Sequence, residues 1–272
     1  WTSMHWAFYG CANLEGNYED YPITTAMTNT ALMFYGCAKF NSAVNFNTAE
    51  VTDMGYMFYG CTLFNQSVSS FNTAKVEAMH YMFHNCAAFN QSVSNFDTAK
   101  VTNMSFMFRG CTVFNQSVAS FNTAKVTNMA SMFQACVAFN QSVASFNTAK
   151  VTNMANMFTD CYVFNQSVAH FDVAVVTNMT AMFQNANALS AANYDALLIS
   201  WSAQDVRDSV VFHGGDATYS EGDAADARTH LVTATGSGGH GWTITDEGLS
   251  FDNGKLIITV DDVRSSIYSL MN

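Results

Sequence analysis

Apolar and polar positions recur along this chain with a period of about 25 residues. Residues 101–125 give the clearest copy, Val-Thr-Asn-Met-x-x-Met-Phe-x-x-Cys-x-x-Phe-Asn-Gln-Ser-Val-x-x-Phe-Asn-Thr-Ala-Lys. Roughly seven and a half copies run from about residue 1 to residue 190. A fixed period of this length indicates one supersecondary unit that is stacked on itself.

Within each unit, the apolar spacing predicts one short helix followed by one strand. The apolar positions 101, 104, 107, 108 and 111 have the spacing of one helical face. The segment 114–118 is short with apolar ends, which predicts a strand. One column of residues is expected to adopt the left-handed conformation that ends a helix, namely Gly36, Gly60, Asn85, Gly110, Ala135, Asp160 and Asn185.

Stacking such units in register predicts an α/β solenoid of the leucine-rich-repeat type, with a parallel sheet and one short helix per coil. Residues of one type then form columns along the stack, and the Met, Phe, Cys and Val columns are expected to form the core. Two columns are predicted to be structural ladders: the cysteines Cys61, Cys86, Cys111, Cys136 and Cys161, and the asparagines Asn65, Asn90, Asn115, Asn140 and Asn165.

The composition changes near residue 190, where the repeat ends. Residues 191–248 predict a C-terminal α/β capping module, because the end of a solenoid exposes an apolar face. Its first element is predicted to be an amphipathic helix that buries Tyr194, Leu197, Leu198 and Trp201. Residues 249–272 predict a hairpin and a short helix, and this tail is a possible docking segment.

Charge and hydropathy exclude some classes of protein. The formal net charge is −11, which argues against a nucleic-acid-binding surface, and only 11% of residues are charged, which argues against charge-driven disorder. No apolar run approaches the roughly 18–20 residues of a membrane span. Because the chain begins with a tryptophan, we interpret it as a mature or trimmed fragment.

Candidate chemistry is sparse. The seven cysteines are an odd number, and Ala186 replaces the cysteine of its repeat, so buried free thiols are expected rather than disulfides or a metal site. His80 and His84 lie four residues apart and are expected to be surface histidines. The glycine-rich segment 236–241 is expected to be a flexible turn. We therefore predict no catalytic residues, no metal and no cofactor.

Candidate binding residues are those that differ between repeats or carry charge, since such positions are expected to be exposed. One variable column lies near the predicted end of the helix, and it comprises Tyr59, His84, Arg109, Gln134, Thr159 and Gln184. A second column must point to water because it repeats one charge, and it comprises Lys75, Lys100, Lys125 and Lys150. A partner would bind on these columns or on the polar ladder.

The repeat resembles the 25-residue repeat of BspA-like surface proteins, which are relatives of the treponemal-type leucine-rich repeat. Its segment Met-Phe-x-x-Cys-x-x-Phe stands where those repeats have Ala-Phe-x-x-Cys-x-x-Leu, and residues 193–246 resemble the terminal module of that family. The resemblance implies a non-enzymatic adhesion or scaffolding protein, extracellular or at the cell surface, with a protein or glycan partner. The alternative is a structural subunit of a larger assembly. Ice binding by the threonine columns and an enzyme remain minor alternatives.

Overall fold

The structure, a computed structural model, describes residues 2–15 and 27–250. The described chain is mixed α/β, with few helices and short parallel sheets. Its helices are α1, Ala191–Ser202, and α2, Asp223–Val232, with a short 3₁₀ helix at Thr235–Ser237. Its strands are β1, Val211–His213; β2, Thr218–Tyr219; β3, Thr243–Thr245; and β4, Gly248–Leu249. Strand β1 pairs in parallel with β3, and β2 pairs in parallel with β4.

Successive repeats are joined by a line of single parallel β-bridges. Each repeat contributes one residue to this line: Ser3, Asn29, Asp53, Ala78, Asn103, Asn128, Asn153 and Asn178. The line does not stop at the last repeat, because Met179 forms the same kind of bridge with Phe212 of β1. The repeats are therefore stacked in register, and the first strand after them continues the pairing.

The predicted helix in each repeat is wrong, because the described repeats contain no helix. The segment instead folds as consecutive tight turns, in which the Met107 amide donates to the Met104 carbonyl at 3.3 Å and the Cys111 amide donates to the Phe108 carbonyl at 3.0 Å. The apolar spacing misled the prediction, since a residue every three or four positions also faces the core in a chain of turns.

Hydrogen bonding between repeats explains why no helix forms. The amide of Met104 donates to the Asn128 carbonyl at 3.0 Å, and the amide of Phe108 donates to the Met132 carbonyl at 3.0 Å. A helix would direct these donors to carbonyls four residues earlier in the same segment. Every second amide of a segment thus donates to a carbonyl of the next repeat, and the amides between them donate to carbonyls within the turns.

Two columns of residues have a left-handed backbone. The first is the predicted Gly and Asn column, which is confirmed with φ between 58° and 74°. The second was not predicted, has φ between 56° and 62°, and consists of Trp6, Leu32, Tyr56, Tyr81, Phe106, Ser131, Asn156 and Ala181. This conformation costs about 1–2 kcal/mol for a residue with a side chain. Its recurrence at one position indicates that the stacking of repeats imposes it.

The predicted strand at 114–118 is also absent, because side chains replace the backbone bonds there. The Asn115 amide donates to the side-chain Oδ1 of Asn90 at 3.0 Å, one repeat earlier. A side-chain acceptor joins neighbouring repeats without bringing their backbones into a ladder, so no regular strand forms.

A continuous apolar core runs through the repeats and into the C-terminal part. Phenylalanine rings stack along it, with centroids 5.5 Å apart between Phe58 and Phe83 and 5.7 Å apart between Phe83 and Phe108. The four predicted core residues of α1 are confirmed as buried, and Trp201 of this set contacts Phe212 with ring centroids 5.3 Å apart. The hairpin and helix predicted for the tail lie, from residue 251 onward, outside the described residues.

Candidate binding surface

The variable column begins as a stack of aromatic rings. Tyr9 stacks on Tyr35 with centroids 4.7 Å apart, Tyr35 on Tyr59 at 4.4 Å, and Tyr59 on His84 at 4.3 Å. The planes of Tyr59 and His84 differ by only 2°. Because the faces of the inner rings cover one another, those rings present their edges to solvent.

Polar contacts extend this column beyond the rings. One terminal nitrogen of Arg109 lies 2.9 Å from Nε2 of His84, and its Nε donates to Oε1 of Gln134 at 2.8 Å. The column from Tyr9 to Gln134 is therefore one connected line of side chains, which we call the aromatic row. Four of the predicted residues, Tyr59, His84, Arg109 and Gln134, lie in it.

The expectation that every variable position is exposed is wrong. His84 is only 2% exposed, because it is enclosed by Tyr59 and Arg109, and Thr159 is only 5% exposed. The Thr159 hydroxyl donates to the Ala181 carbonyl at 2.5 Å, which turns it towards the next repeat. Gln184, the last residue of the column, is exposed. His80, also expected at the surface, is half-buried.

A second aromatic column, which sequence reasoning missed, lies beside the first. Tyr56 stacks on Tyr81 with centroids 4.5 Å apart, and Tyr81 stacks on Phe106 at 4.3 Å. Tyr56 also lies 5.9 Å from Tyr59 of the aromatic row. Aromatic residues at equivalent positions of three successive repeats were the available signal. Together, the two columns place adjacent aromatic side chains along the first half of the stacked repeats.

Burial disfavours charge within this surface. Burial, together with the nearby Arg109 guanidinium, lowers the pKa of His84 to about 4. Burial also raises the pKa of Tyr81. Nδ1 of His84 and Nδ1 of His80 are buried without a hydrogen-bond partner among the described residues. At neutral pH the buried His84 is therefore uncharged, and Arg109 carries the positive charge of the aromatic row.

The lysine column is exposed, and its members differ in pairing. Lys75 donates to the carboxylate of Glu50 at 2.6 Å. Lys100, Lys125 and Lys150 make no ion pair with any residue that the structure describes. We call these three residues the lysine row.

The cysteine column lies in the core. Sγ of Cys111 donates to the Phe83 carbonyl at 3.0 Å, and Sγ of Cys136 donates to the Phe108 carbonyl at 2.9 Å. Burial raises the pKa of both thiols, and it raises the pKa of the buried Cys37 to about 11. Because the thiolate is the reactive form, these cysteines are poor nucleophiles at neutral pH.

The asparagine column joins repeats through side chains. Oδ1 of Asn90 accepts from the Asn115 amide at 3.0 Å and from Nε2 of Gln116 at 3.1 Å. At the last repeat, Oδ1 of Asn165 accepts from the amide of Ser190, which is the N-cap of α1, at 2.9 Å. The same column that links the repeats thus also fixes the start of the first helix.

The residues after 190 contain two polar clusters. The carboxylate of Asp246 accepts from the hydroxyl of Tyr194 at 2.6 Å and from Nε of Arg228 at 2.8 Å, and its side chain is only 2% exposed. An open cleft holds His240 and Asp208, whose Nδ1 and Oδ1 are 3.2 Å apart. In the described part of the chain, no Ser, Thr or Cys side chain is hydrogen-bonded to His240, and no three side chains form a metal-binding group.

None of the helices that the structure describes has the length and apolar character needed to cross a bilayer. The chain matches, over residues 2–116 and 90–197, the family described as Mycoplasma protein of unknown function, DUF285. No curated protein and no solved structure matches the chain. The family match spans the whole set of stacked repeats and well over half of the sequence, so the chain belongs to the DUF285 family.

Proposed function

We propose that this protein is a non-enzymatic adhesion or protein-interaction scaffold that binds a partner through an extended face of its repeats. The proposed architecture is a solenoid of the leucine-rich-repeat type, related to BspA-like repeats, with an α/β cap after residue 190. The proposed location is the cell surface or the extracellular space, and the proposed partner is a protein or a glycan.

The connected aromatic row is the observation that carries this proposal. The framework columns of Met, Phe, Cys and Val repeat almost unchanged, whereas this row changes from tyrosine through histidine and arginine to glutamine. Tyr9 is 52% exposed in a cleft with Trp6 and Leu32, so apolar surface is available at one end. Aromatic and arginine side chains are enriched where proteins bind partners.

Binding of the full chain to protein and glycan arrays tests the proposal. We expect the chain to bind at least one protein or glycan on the arrays without any chemical turnover of it. We expect Tyr59→Ala to weaken that binding about tenfold, as for the loss of one buried aromatic anchor. The matched control is Tyr162→Ala, which removes a tyrosine that is 48% exposed outside the aromatic row.

Two results would contradict the proposal. One is binding that Tyr162→Ala weakens and Tyr59→Ala does not. The other is chemical turnover of an array compound that stops when His240 is replaced, because that would place the activity in the cleft with Asp208 instead.

A further inference from the structure

Positive charge is concentrated in the middle of the repeats. Residues 98–159 contain four basic residues and no acidic residue, although the whole chain has a formal net charge of −11. In contrast, residues 191–272 contain four basic and twelve acidic residues. The middle repeats are therefore a cationic band in an otherwise acidic protein.

The lysine row supplies most of this charge and is available for binding. Lys39 and Lys75 are each paired with a carboxylate one repeat earlier, at 3.2 Å and 2.6 Å. The three residues of the lysine row are exposed and have no carboxylate within 4.0 Å among the described residues. Like charges in one row repel, so an anionic partner lying along it would remove that repulsion.

The row has defined acidic limits. Glu77 lies one repeat before Thr102, on the threonine column. Asp97 occupies, beside Lys100, the position that asparagine occupies beside Lys125 and Lys150, and Asp172 occupies it one repeat after Lys150. The carboxylates of Asp97 and Asp172 accept from the amides two residues later in their own turns, at 3.0 Å each. A polyanion would thus be favoured over the middle repeats and repelled beyond them.

Hydrogen-bonding groups flank the lysines on both sides. Oδ1 of Asn122 and Oδ1 of Asn147 accept from backbone amides at 3.1 Å, and their Nδ2 groups have no partner among residues 27–250. Thr127 and Thr152 follow the lysines by two residues and are exposed, and each hydroxyl donates to a carbonyl one repeat earlier at 3.3 Å, so its oxygen is available as an acceptor. The strip therefore combines cations with neutral donors and acceptors, which suits a ligand that carries both anionic groups and hydroxyls.

The spacing of the row favours one class of polyanion. Stacked repeats set the step, with backbone spacing of about 4.8 Å. Alternate side chains on one side of an extended peptide lie about 6.6 Å apart, and duplex DNA carries a charge about every 1.7 Å along its axis. A linear polysaccharide with one charge on each sugar ring places its anions at a step close to that of the row.

We propose that Lys100, Lys125 and Lys150 form a docking row for a linear anionic polysaccharide, either carboxylated or sulfated. The lysine ammonium groups would bind the anionic groups, and the flanking asparagine and threonine side chains would bind the sugar hydroxyls. This inference rests on the proposed binding function and names a partner class for it.

Calorimetric titration of the full chain tests this row with four polymers. Polygalacturonate, with a carboxylate on each ring, and chondroitin sulfate, in which rings with a carboxylate alternate with rings with a sulfate, represent the two anionic sources. Dextran is the neutral control, and poly-glutamate represents an acidic peptide. We expect binding to at least one anionic polysaccharide, weakened by added salt because salt screens exposed charges. The triple variant K100Q/K125Q/K150Q should bind that polymer at least about tenfold more weakly, from the summed loss of three exposed ion pairs.

The matched control is K39Q/K75Q, which removes two exposed lysines that already have carboxylate partners, and it should bind within about twofold of the unmodified chain. Thermal unfolding should be the same for both variants, since the lysines are exposed. Binding only to poly-glutamate, equal binding to dextran, or equal weakening by both variants would overturn the inference. If neither anionic polysaccharide binds while Tyr59→Ala still weakens array binding, this inference fails and the proposed function stands.

Discussion

The stacked repeats and the residues after 190 are stabilised in different ways. In the repeats, the apolar core side chains pack against their own copies in neighbouring repeats, and the ion pairs of the described residues there, such as Lys75 with Glu50, are exposed. After residue 190, two helices pack around single tryptophans and tyrosines, and the buried carboxylate of Asp246 is bound by two different side chains.

This difference predicts how each region responds to change. A column offers the same contact several times, so a loss in one repeat is local and is limited by its two neighbours. The Asp246 cluster occurs once, so its loss has no substitute. The stacking in columns also explains which positions can differ in residue type between repeats. The variable columns lie outside the apolar core, and the aromatic row changes from one repeat to the next.

The largest effect is expected in the middle of the phenylalanine column. Phe108→Ala should lower the free energy of unfolding by about 3–5 kcal/mol, because it leaves a cavity between the rings of Phe83 and Phe133. Urea unfolding measures this. Val113→Ala, at a residue that is 46% exposed, is the control and should change stability by less than about 1 kcal/mol. Equal effects of the two changes would contradict the packing.

Removing the buried carboxylate should have the next largest effect. Asp246→Asn should destabilise the protein by about 3 kcal/mol, because the guanidinium of Arg228 keeps its burial and loses its counter-charge. Tryptophan fluorescence during urea unfolding should show the C-terminal part unfolding before the repeats. Asp223→Asn, at an exposed position in α2, is the matched control. If Asp246→Asn left the unfolding curve unchanged, the cluster around Asp246 would not stabilise the residues after 190.

The sequence predicted the repeat, the core columns, the left-handed glycine column and the buried face of α1. It did not predict the conformation of residues 101–111, because periodic apolar residues face the core equally well in a helix and in a chain of turns. Bonds from Met104 and Phe108 to the next repeat decide between them. Such bonds depend on a neighbour 25 residues away, which a local pattern does not report.

The candidate surface could be predicted only in part, because it too depends on contacts between residues about 25 positions apart. The variable column was found from the comparison of repeats, but the burial of His84 depends on stacking with Tyr59 and on Arg109 in the following repeat. The second aromatic column was missed because its residues were assigned to a helix. Phe106 has φ of 60°, a conformation that its residue type rarely adopts and that only the stack explains.

A smaller, stabilising effect is expected at a left-handed position. Ala135 has φ of 59° in a column where four other repeats have glycine, so Ala135→Gly should raise the free energy of unfolding by about 0.5–1 kcal/mol. Thermal unfolding measures this change. Ala124→Gly is the control at a residue outside the left-handed set, and it should destabilise by about 0.5–1 kcal/mol. The same sign in both variants would contradict the assigned backbone.

A further prediction concerns pH. Because the folded pKa of His84 is lowered to about 4 from an ordinary value near 6.5, the unfolded chain binds a proton more readily. The contribution of neutral His84 is therefore fully present above about pH 6.5 and is lost as the pH falls towards 4. His84→Gln, which introduces the residue found in two later repeats, should flatten stability over this window. An unchanged pH profile would show that His84 is not held neutral.

The in-register stacking of repeats underlies every argument about rows, and engineered cysteine pairs test it directly. The amide of Thr152 donates to the Thr127 carbonyl at 2.9 Å, and both side chains are exposed. In a background with the exposed Cys11 changed to Ser, T127C/T152C should form an intramolecular disulfide on mild oxidation. T102C/T152C should not, because two repeat steps are about 10 Å. Equal cross-linking of both pairs, or of neither, would contradict the stack.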